Sequence, residues 1–307
     1  MTLRVTFLGT AGAVPTPERS SSAIHVNREG DQFLFDAGEG TQRQMMRFAT
    51  GFAVSDIFVT HLHGDHVYGL PGMVETWGFA GREDPLTIHV PPGTRRALLA
   101  LLTAIGGDPS YPLSVQEVEP GRAALEREDF QVRAFRTDHR TRSVGYALVE
   151  ADRRGRFDRE QAEALGVPVG PAFSRLHAGE DVELDDGTVV ESTEVVGPPR
   201  PGRTMVYTGD TRPCESVVEA ARGADLLVHD GTFAAEHAAR AVETAHSTAR
   251  EAAAVAAEAG VRHLVLTHLS SRYAGDAGQL AAEARATFDG EVTVAHDGLV
   301  VDVPFST

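Results

Sequence analysis

Six consecutive residues, His61-Leu-His-Gly-Asp-His66, hold four side chains able to bind a metal, directly after the apolar segment Asp56–Thr60. Neutral imidazole suits zinc, and a carboxylate adds the charge needed to hold a second ion. On an extended segment His61 and His63 point to the same side. A turn at Gly64, which no side chain obstructs, redirects Asp65 and His66 towards an adjacent ion. A single histidine here would read as part of a solvated polar loop. Four donors at this spacing read as a metal site.

The flanking sequence supplies strands that end where such groups are needed. Arg4–Leu8 runs into the loop Gly9-Thr-Ala-Gly12, and Gln32–Phe35 runs into Asp36-Ala-Gly-Glu-Gly40. Further strands are expected at Val132–Phe135, Val144–Val149, Met205–Thr208, Asp225–Val228 and His263–Thr267, with a helix around Arg95–Ile105. Thr248-Ala-Arg-Glu251 is a capping box opening an alanine-rich helix that Gly260 closes. Val59-Thr-His-Leu62 is echoed by Leu266-Thr-His-Leu269, each an apolar strand delivering a histidine. The echo predicts two β-rich halves packed face to face, helices outside, and the chemistry along their shared edge. Between about residues 153 and 203 the texture turns to Gly, Pro and charge, with Gly166-Val-Pro-Val-Gly-Pro171 and the turn Leu184-Asp-Asp-Gly187. This stretch reads as an insertion projecting from a single domain spanning 1–307.

Composition removes several other chemistries. The 307 residues contain no lysine, so the Gly9–Gly12 loop cannot be a P-loop and reads as a turn. The single cysteine, Cys214, excludes an internal disulfide and a thiolate cluster, and is expected to be a small apolar filler. No apolar run approaches the roughly 18–20 residues of a membrane span, and the N-terminus has no export-signal pattern, so a cytoplasmic protein is expected. The net charge is −16, from 28 arginines against 44 acids. Surface carboxylates in such excess fit a cytoplasm of high salt. Codon bias towards Arg accounts for the missing Lys but not for the acids. Taken alone, this charge argues against a nucleic-acid partner.

The hexapeptide resembles the signature of the metallo-β-lactamase superfamily, an αββα four-layer sandwich with metals at the edge of its two sheets. That resemblance implies further ligands at strand ends: His139, Asp210 and His268. One zinc would take His61, His63 and His139, the other Asp65, His66 and His268, with Asp210 bridging. Shorter motifs are similar to the ribonuclease Z family: Phe35-Asp-Ala-Gly-Glu-Gly-Thr-Gln-Arg-Gln44, Tyr207-Thr-Gly-Asp-Thr-Arg212, His229-Asp-Gly-Thr-Phe233, His246-Ser-Thr248 and Thr267-His-Leu-Ser-Ser-Arg-Tyr273. The similarity runs from Phe7 to about Gly298. It implies a precursor transfer-RNA substrate cut at its 3′ trailer, a homodimer, and a protruding arm in the insertion that grips the RNA. One departure is Asp230, where the family usually carries Glu; a carboxylate remains but reaches one methylene less.

The expected chemistry follows. Two zinc ions about 3.5–4 Å apart hold a hydroxide and clamp the scissile phosphate. His246, oriented by Asp230, would protonate the leaving 3′-oxygen, and Asp65 would help deprotonate the water. Ser270, Ser271 and Arg272 would hold acceptor-stem phosphates. The charge objection has a local answer, since Arg133 to Arg159 contains eight arginines against four acids. His25, His89, His177, His237, His263 and His296 lack motif support and are expected on the surface or in packing. Two other readings remain at this stage. One is a general phosphodiesterase or arylsulfatase-like hydrolase on the same site, which has no use for an arm. The other is a metal-dependent RNA-binding protein without turnover, which has no need of a complete ligand set.

Overall fold

Strands form where β-branched and aromatic residues crowd together, and here they form two sheets whose polar exits share one edge. The computed structural model describes residues 2–104 and 108–306. The first sheet has seven strands in the order Val300–Asp302, Leu3–Gly9, Ala23–Arg28, Asp31–Phe35, Val54–Phe58, Leu86–Val90, Leu113–Glu117. The last four of these run parallel. The second sheet, also of seven strands, runs Glu291–Val294, His263–Thr267, Leu226–Asp230, Thr204–Tyr207, Val144–Glu150, Phe130–Arg136, Ala123–Glu126. Its first four strands are parallel, and Val144–Glu150 is antiparallel to Thr204–Tyr207.

The inner faces meet in an apolar layer. Phe7, Phe33, Phe35 and Phe58 from the first sheet face Tyr146, Met205, Tyr207 and Val228 from the second. The outer faces are covered by helices. Leu70–Phe79 and Arg95–Thr103 bury Met73, Trp77 and Leu98 against the first sheet. Ala249–Ala259 lays Ala252, Ala253 and Ala256 against the second, where small side chains let the helix approach closely. The result is the expected αββα sandwich.

Several boundaries differ from expectation. The strand before the metal-binding hexapeptide ends at Phe58, not Thr60. Thr60 has left the ladder because its N–H and hydroxyl both bond the Asp36 carboxylate, at 2.7 and 2.8 Å. Conversely, the strand expected at Asp225–Val228 spans Leu226–Asp230, with Asp230 still paired to Thr267. The two halves also exchange strands. The second sheet begins as early as Ala123, and Val300–Asp302 returns to the first. The helix expected at Arg95–Ile105 is present as Arg95–Thr103, and Ile105 lies outside the described residues. The capping box is formed as expected: Thr248 accepts from Glu251 N–H, Glu251 accepts from Thr248 N–H, and Gly260 closes the helix at φ 67°.

By its contacts the chain divides into two compact units, the second comprising Glu150–Gly202 and the chain from Phe305. This second unit holds three short helices, Arg159–Ala164, Pro171–His177 and Ser192–Val195, and a hairpin, Val182–Glu183 with Val189–Val190. It has its own small core of Ala162, Val167, Leu176, Val182, Val190 and Val195. The turn at Leu184–Gly187 closes the hairpin, with Gly187 N–H bonded to Leu184 C=O.

Candidate metal centre

Loops at the exits of four strands bring seven side chains together. The hexapeptide follows Val54–Phe58, and its last four residues with Val67 include the single helical turn Gly64–Val67. A Cβ at Gly64 would meet the exposed ring of Tyr68, which would have to swing aside, so glycine leaves the turn unobstructed. His139 follows Phe130–Arg136, Asp210 follows Thr204–Tyr207, and His268 follows His263–Thr267. Gly12 approaches His268 so closely that an added Cβ would lie 2.6 Å from the His268 carbonyl.

The side chains sort into two groups. His61 Nε2 lies 2.9 Å from His63 Nδ1, and His139 Nε2 lies 3.3 Å from the same atom. Asp210 Oδ2 faces this group, 3.5 Å from His61 and 3.8 Å from His139. In the other group His66 Nε2 and His268 Nε2 are 3.4 Å apart, and Asp65 Oδ2 stands 3.5 and 3.2 Å from them. Asp210 Oδ1 faces this second group at 3.3 and 3.2 Å. One carboxylate thus turns one oxygen to each cluster.

These contacts are those of ligands around a cation. Asp210 Oδ1 is buried with no hydrogen bond, although two imidazole nitrogens lie within 3.3 Å. The nitrogens converge on common points while their opposite ring nitrogens are already engaged. His61 Nδ1 meets Thr60 Oγ1 at 3.0 Å, His66 Nδ1 meets Asp36 at 2.8 Å, His139 Nδ1 meets the Ala245 carbonyl at 2.9 Å, and His268 Nδ1 meets Thr232 Oγ1 at 3.0 Å. Such outer partners fix the tautomer that leaves a lone pair facing inward. The donor set, imidazoles with carboxylates, fits zinc.

Electrostatics agree. Burial and the neighbouring imidazoles hold His61 well below its ordinary value, and burial also lowers His63 and His139, leaving them neutral and able to ligate. Burial opposes ionisation of Asp210, yet the surrounding His268, His66 and His61 hold its carboxyl well below the usual range. His66 is pushed the other way. Burial disfavours its charge, but Asp210 and Asp36 overcome it, so positive charge is favoured at that point of the site.

A second device adjoins the clusters. Asp230 is wholly buried and accepts from His246 Nδ1 at 2.9 Å, Thr211 N–H at 3.2 Å, Thr232 N–H at 2.9 Å and the Thr232 hydroxyl at 2.6 Å. Burial lowers His246, but the Asp230 carboxylate outweighs it and pushes the imidazole up to about 9. Asp230 therefore reaches its histidine without the extra methylene of a glutamate.

Of the phosphate-binding expectations, Ser271 and Arg272 are exposed, whereas Ser270 is buried, its hydroxyl accepting from Arg272 within their own turn. His25 and His89 are buried in packing, the latter bonded to Asp56 at 2.8 Å. His263 bonds Thr293, His177 and His296 are exposed, and half-buried His237 meets the Tyr273 hydroxyl. Cys214 is half-buried against the second outer core. Sequence reasoning missed Asp36, Thr60 and Thr232 as supports of the ligands. Asp36 carried a signal, a carboxylate directly after a strand in a glycine-rich turn, and it adopts φ 58° there.

A four-layer sandwich with this cluster along its sheet edge defines the metallo-β-lactamase superfamily, whose profile matches residues 16–259. The chain is 64% identical over 305 residues, 99% of both chains, to a ribonuclease Z of Halobacterium salinarum. It is 63% identical to a ribonuclease Z of Haloferax volcanii, covering 100% of this chain and 96% of that one. The chain belongs to the ribonuclease Z family. Human tRNase Z, short form, superposes with a TM-score of 0.69 at 28% identity, covering 98% of this chain and 100% of that one. The metallo-β-lactamase fold protein YhfI of Bacillus subtilis, at 20% identity and a TM-score of 0.70, shares the fold.

Proposed function

We propose that the protein is a zinc-dependent endoribonuclease that removes the 3′ trailer from precursor transfer RNA and leaves a 3′-hydroxyl. It holds two zinc ions per chain and works as a cytoplasmic homodimer. The observation that carries the reading is the split of Asp210 between two donor clusters, beside a histidine whose charge Asp230 maintains. Membership of the ribonuclease Z family supplies the substrate. Exposed apolar side chains on the first unit's helices, Met46 and Phe79, support self-association.

His61, His63, His139 and Asp210 would hold one ion, and Asp65, His66, His268 and Asp210 the other. When bound, the two ions supply Lewis-acid charge to a phosphodiester and a nucleophilic water at neutral pH. The remaining tasks fall to the chain's own residues. His246 has its Nδ1 fixed by Asp230, which leaves Nε2 to donate a proton to the leaving 3′-oxygen. Asp65 Oδ2 accepts from Ala13 N–H, leaving Oδ1 to take a proton from the attacking water. Ser270, Ser271 and Arg272, next to His268, would hold RNA phosphates. Glu150–Gly202, with its separate core, would serve as the RNA-gripping arm.

The test is incubation of the zinc-loaded protein with precursor transfer RNA and mapping of the new end. A single cut at the trailer junction with a 3′-hydroxyl is expected. Hydrolysis of small aryl phosphodiesters without any cut in the RNA would favour a general phosphodiesterase instead.

A further inference from the structure

Beside the metal centre lies an open groove of about 560 Å³ that the assignments above leave without a role. Its walls include Arg136, Arg142, Thr137, Thr141 and Ser143, from the loop that carries His139, and Gly93 from the neighbouring strand exit. Leu86–Val90 and Leu113–Glu117 run parallel to Val54–Phe58, so this groove opens on the same rim as the hexapeptide. Arg136 and Arg142 each lie three residues from His139, so their Cα atoms are within about 11 Å of it.

The groove is built and charged. Thr137 donates to Ser143 at 2.7 Å, closing the loop at its base. Asp138 accepts from Arg212 N–H at 2.8 Å and donates its own N–H to Thr211, pinning the loop to the strand exit that bears Asp210. Arg142 Nη1 donates to the Gly93 carbonyl at 3.0 Å, which fixes the fork while leaving its other donors open. Arg136 is exposed, and among the described residues its guanidinium has no hydrogen bond or ion pair. Arg140, exposed on the same loop, has none either. Against these stand the carboxylates of Glu119 in the groove and Asp138 beside it. In a chain of net charge −16, arginines without an ion-pair partner among the described residues, on the loop that carries His139, offer their donors to an anion.

We infer that this groove is a phosphate subsite for the RNA backbone on the His139 side of the metal centre, opposite the Ser270–Arg272 turn on the His268 side. Arg136 and Arg142 grip a backbone phosphate by their planar forks, and the Thr141 hydroxyl adds a donor. The RNA strand is thereby held on both flanks of the scissile bond. The inference rests on the RNA-cleavage reading, and its phosphate could belong to the trailer or to the transfer-RNA body.

The test uses Arg136→Gln and Arg136→Glu, because among the described residues this guanidinium makes no hydrogen bond or ion pair whose loss would disturb the fold. Arg4→Gln, ion-paired to Asp302 at the end of Leu3–Gly9 away from the Gly9–Gly12 loop, is the control. Binding of a short labelled single-stranded RNA to the zinc-loaded protein, followed by anisotropy, reads the subsite whether or not the RNA is cut at a trailer. Arg136→Gln should weaken it about three- to tenfold and Arg136→Glu further, with the control unchanged. With precursor transfer RNA, KM should rise by a similar factor at constant kcat, while hydrolysis of a small phosphodiester stays at the wild-type rate. If the KM effect disappears when the trailer is cut to one nucleotide, the phosphate belongs to the trailer; if it persists, to the transfer-RNA body. Wild-type binding and KM in both Arg136 variants would overturn the subsite, and would leave the cleavage reading untouched.

Discussion

Asp230→Ala takes away the carboxylate that faces His246 Nδ1 at 2.9 Å. Raising a histidine from its ordinary 6.5 to about 9 favours imidazolium by about 3 kcal/mol. Without Asp230, burial is opposed only by the more distant Asp210 carboxylate, and the ring falls back towards 6.5. The charged form is present below the pKa and lost as pH rises through it. At pH 8 the charged fraction therefore falls from about nine-tenths towards about three-hundredths, a loss of up to about thirtyfold in available acid. At pH 5.5 the two proteins should differ by less than about twofold. Cations bound nearby shift both titrations to lower pH together, so the separation between the descending limbs is the quantity to measure. The assay is single-turnover cleavage of precursor RNA across pH, with zinc content recorded for each variant, because Thr232 links Asp230 to His268. His246→Ala should be about 10²–10⁴-fold slower and lack the descending limb. A substrate with sulfur in place of the bridging 3′-oxygen should restore both variants, since a thiolate leaves without a proton. Parallel pH profiles for wild type and Asp230→Ala, or an undiminished defect on the sulfur substrate, would refute general-acid catalysis by this pair.

Asp210→Ala should be the most damaging ligand change, dropping zinc from two per chain to one or none by elemental analysis, because it faces both clusters. Gly12→Ala should displace His268 and lower zinc content towards one ion, since its Cβ would lie 2.6 Å from the His268 carbonyl. Replacing residues 156–200 by a short Gly/Ser linker should abolish precursor cleavage while small-diester hydrolysis continues; parallel loss of both in a folded variant would make the segment structural. Lowering salt should unfold the protein, as followed by circular dichroism, because its excess of carboxylates repels itself when unscreened.

The donors of the site were legible in the sequence because chemistry leaves dense local marks. Four potential ligands in one hexapeptide needed no tertiary information, and the resemblance to the metallo-β-lactamase superfamily pointed to His139, Asp210 and His268 at strand exits. What the sequence hid was whatever depends on partners far along the chain. Thr60 reads as a strand residue until Asp36, 24 positions away, is seen to take its hydrogen bonds. The strand expected at Asp225–Val228 stops short of His229 and Asp230, yet they finish a buried strand whose neighbour, Leu266–Thr267, supplies the ladder. The echo of Thr-His-Leu correctly marked two sheets, but no local pattern shows that Val300–Asp302 crosses back to the first.

That crossing has a consequence for how the protein is made. During synthesis Leu3–Gly9 can pair early with Ala23–Arg28 on one side, but its other partner, Val300–Asp302, follows almost 300 positions later, with Arg4 and Asp302 298 apart. Until then a largely apolar strand keeps an open edge, a template for pairing with other chains. The second donor cluster is equally late, since Asp65 waits for His268, 203 positions downstream. Zinc captured there can bind fully only once His268 has been delivered, so metal uptake reports that both sheets have come together and then holds that long closure in place.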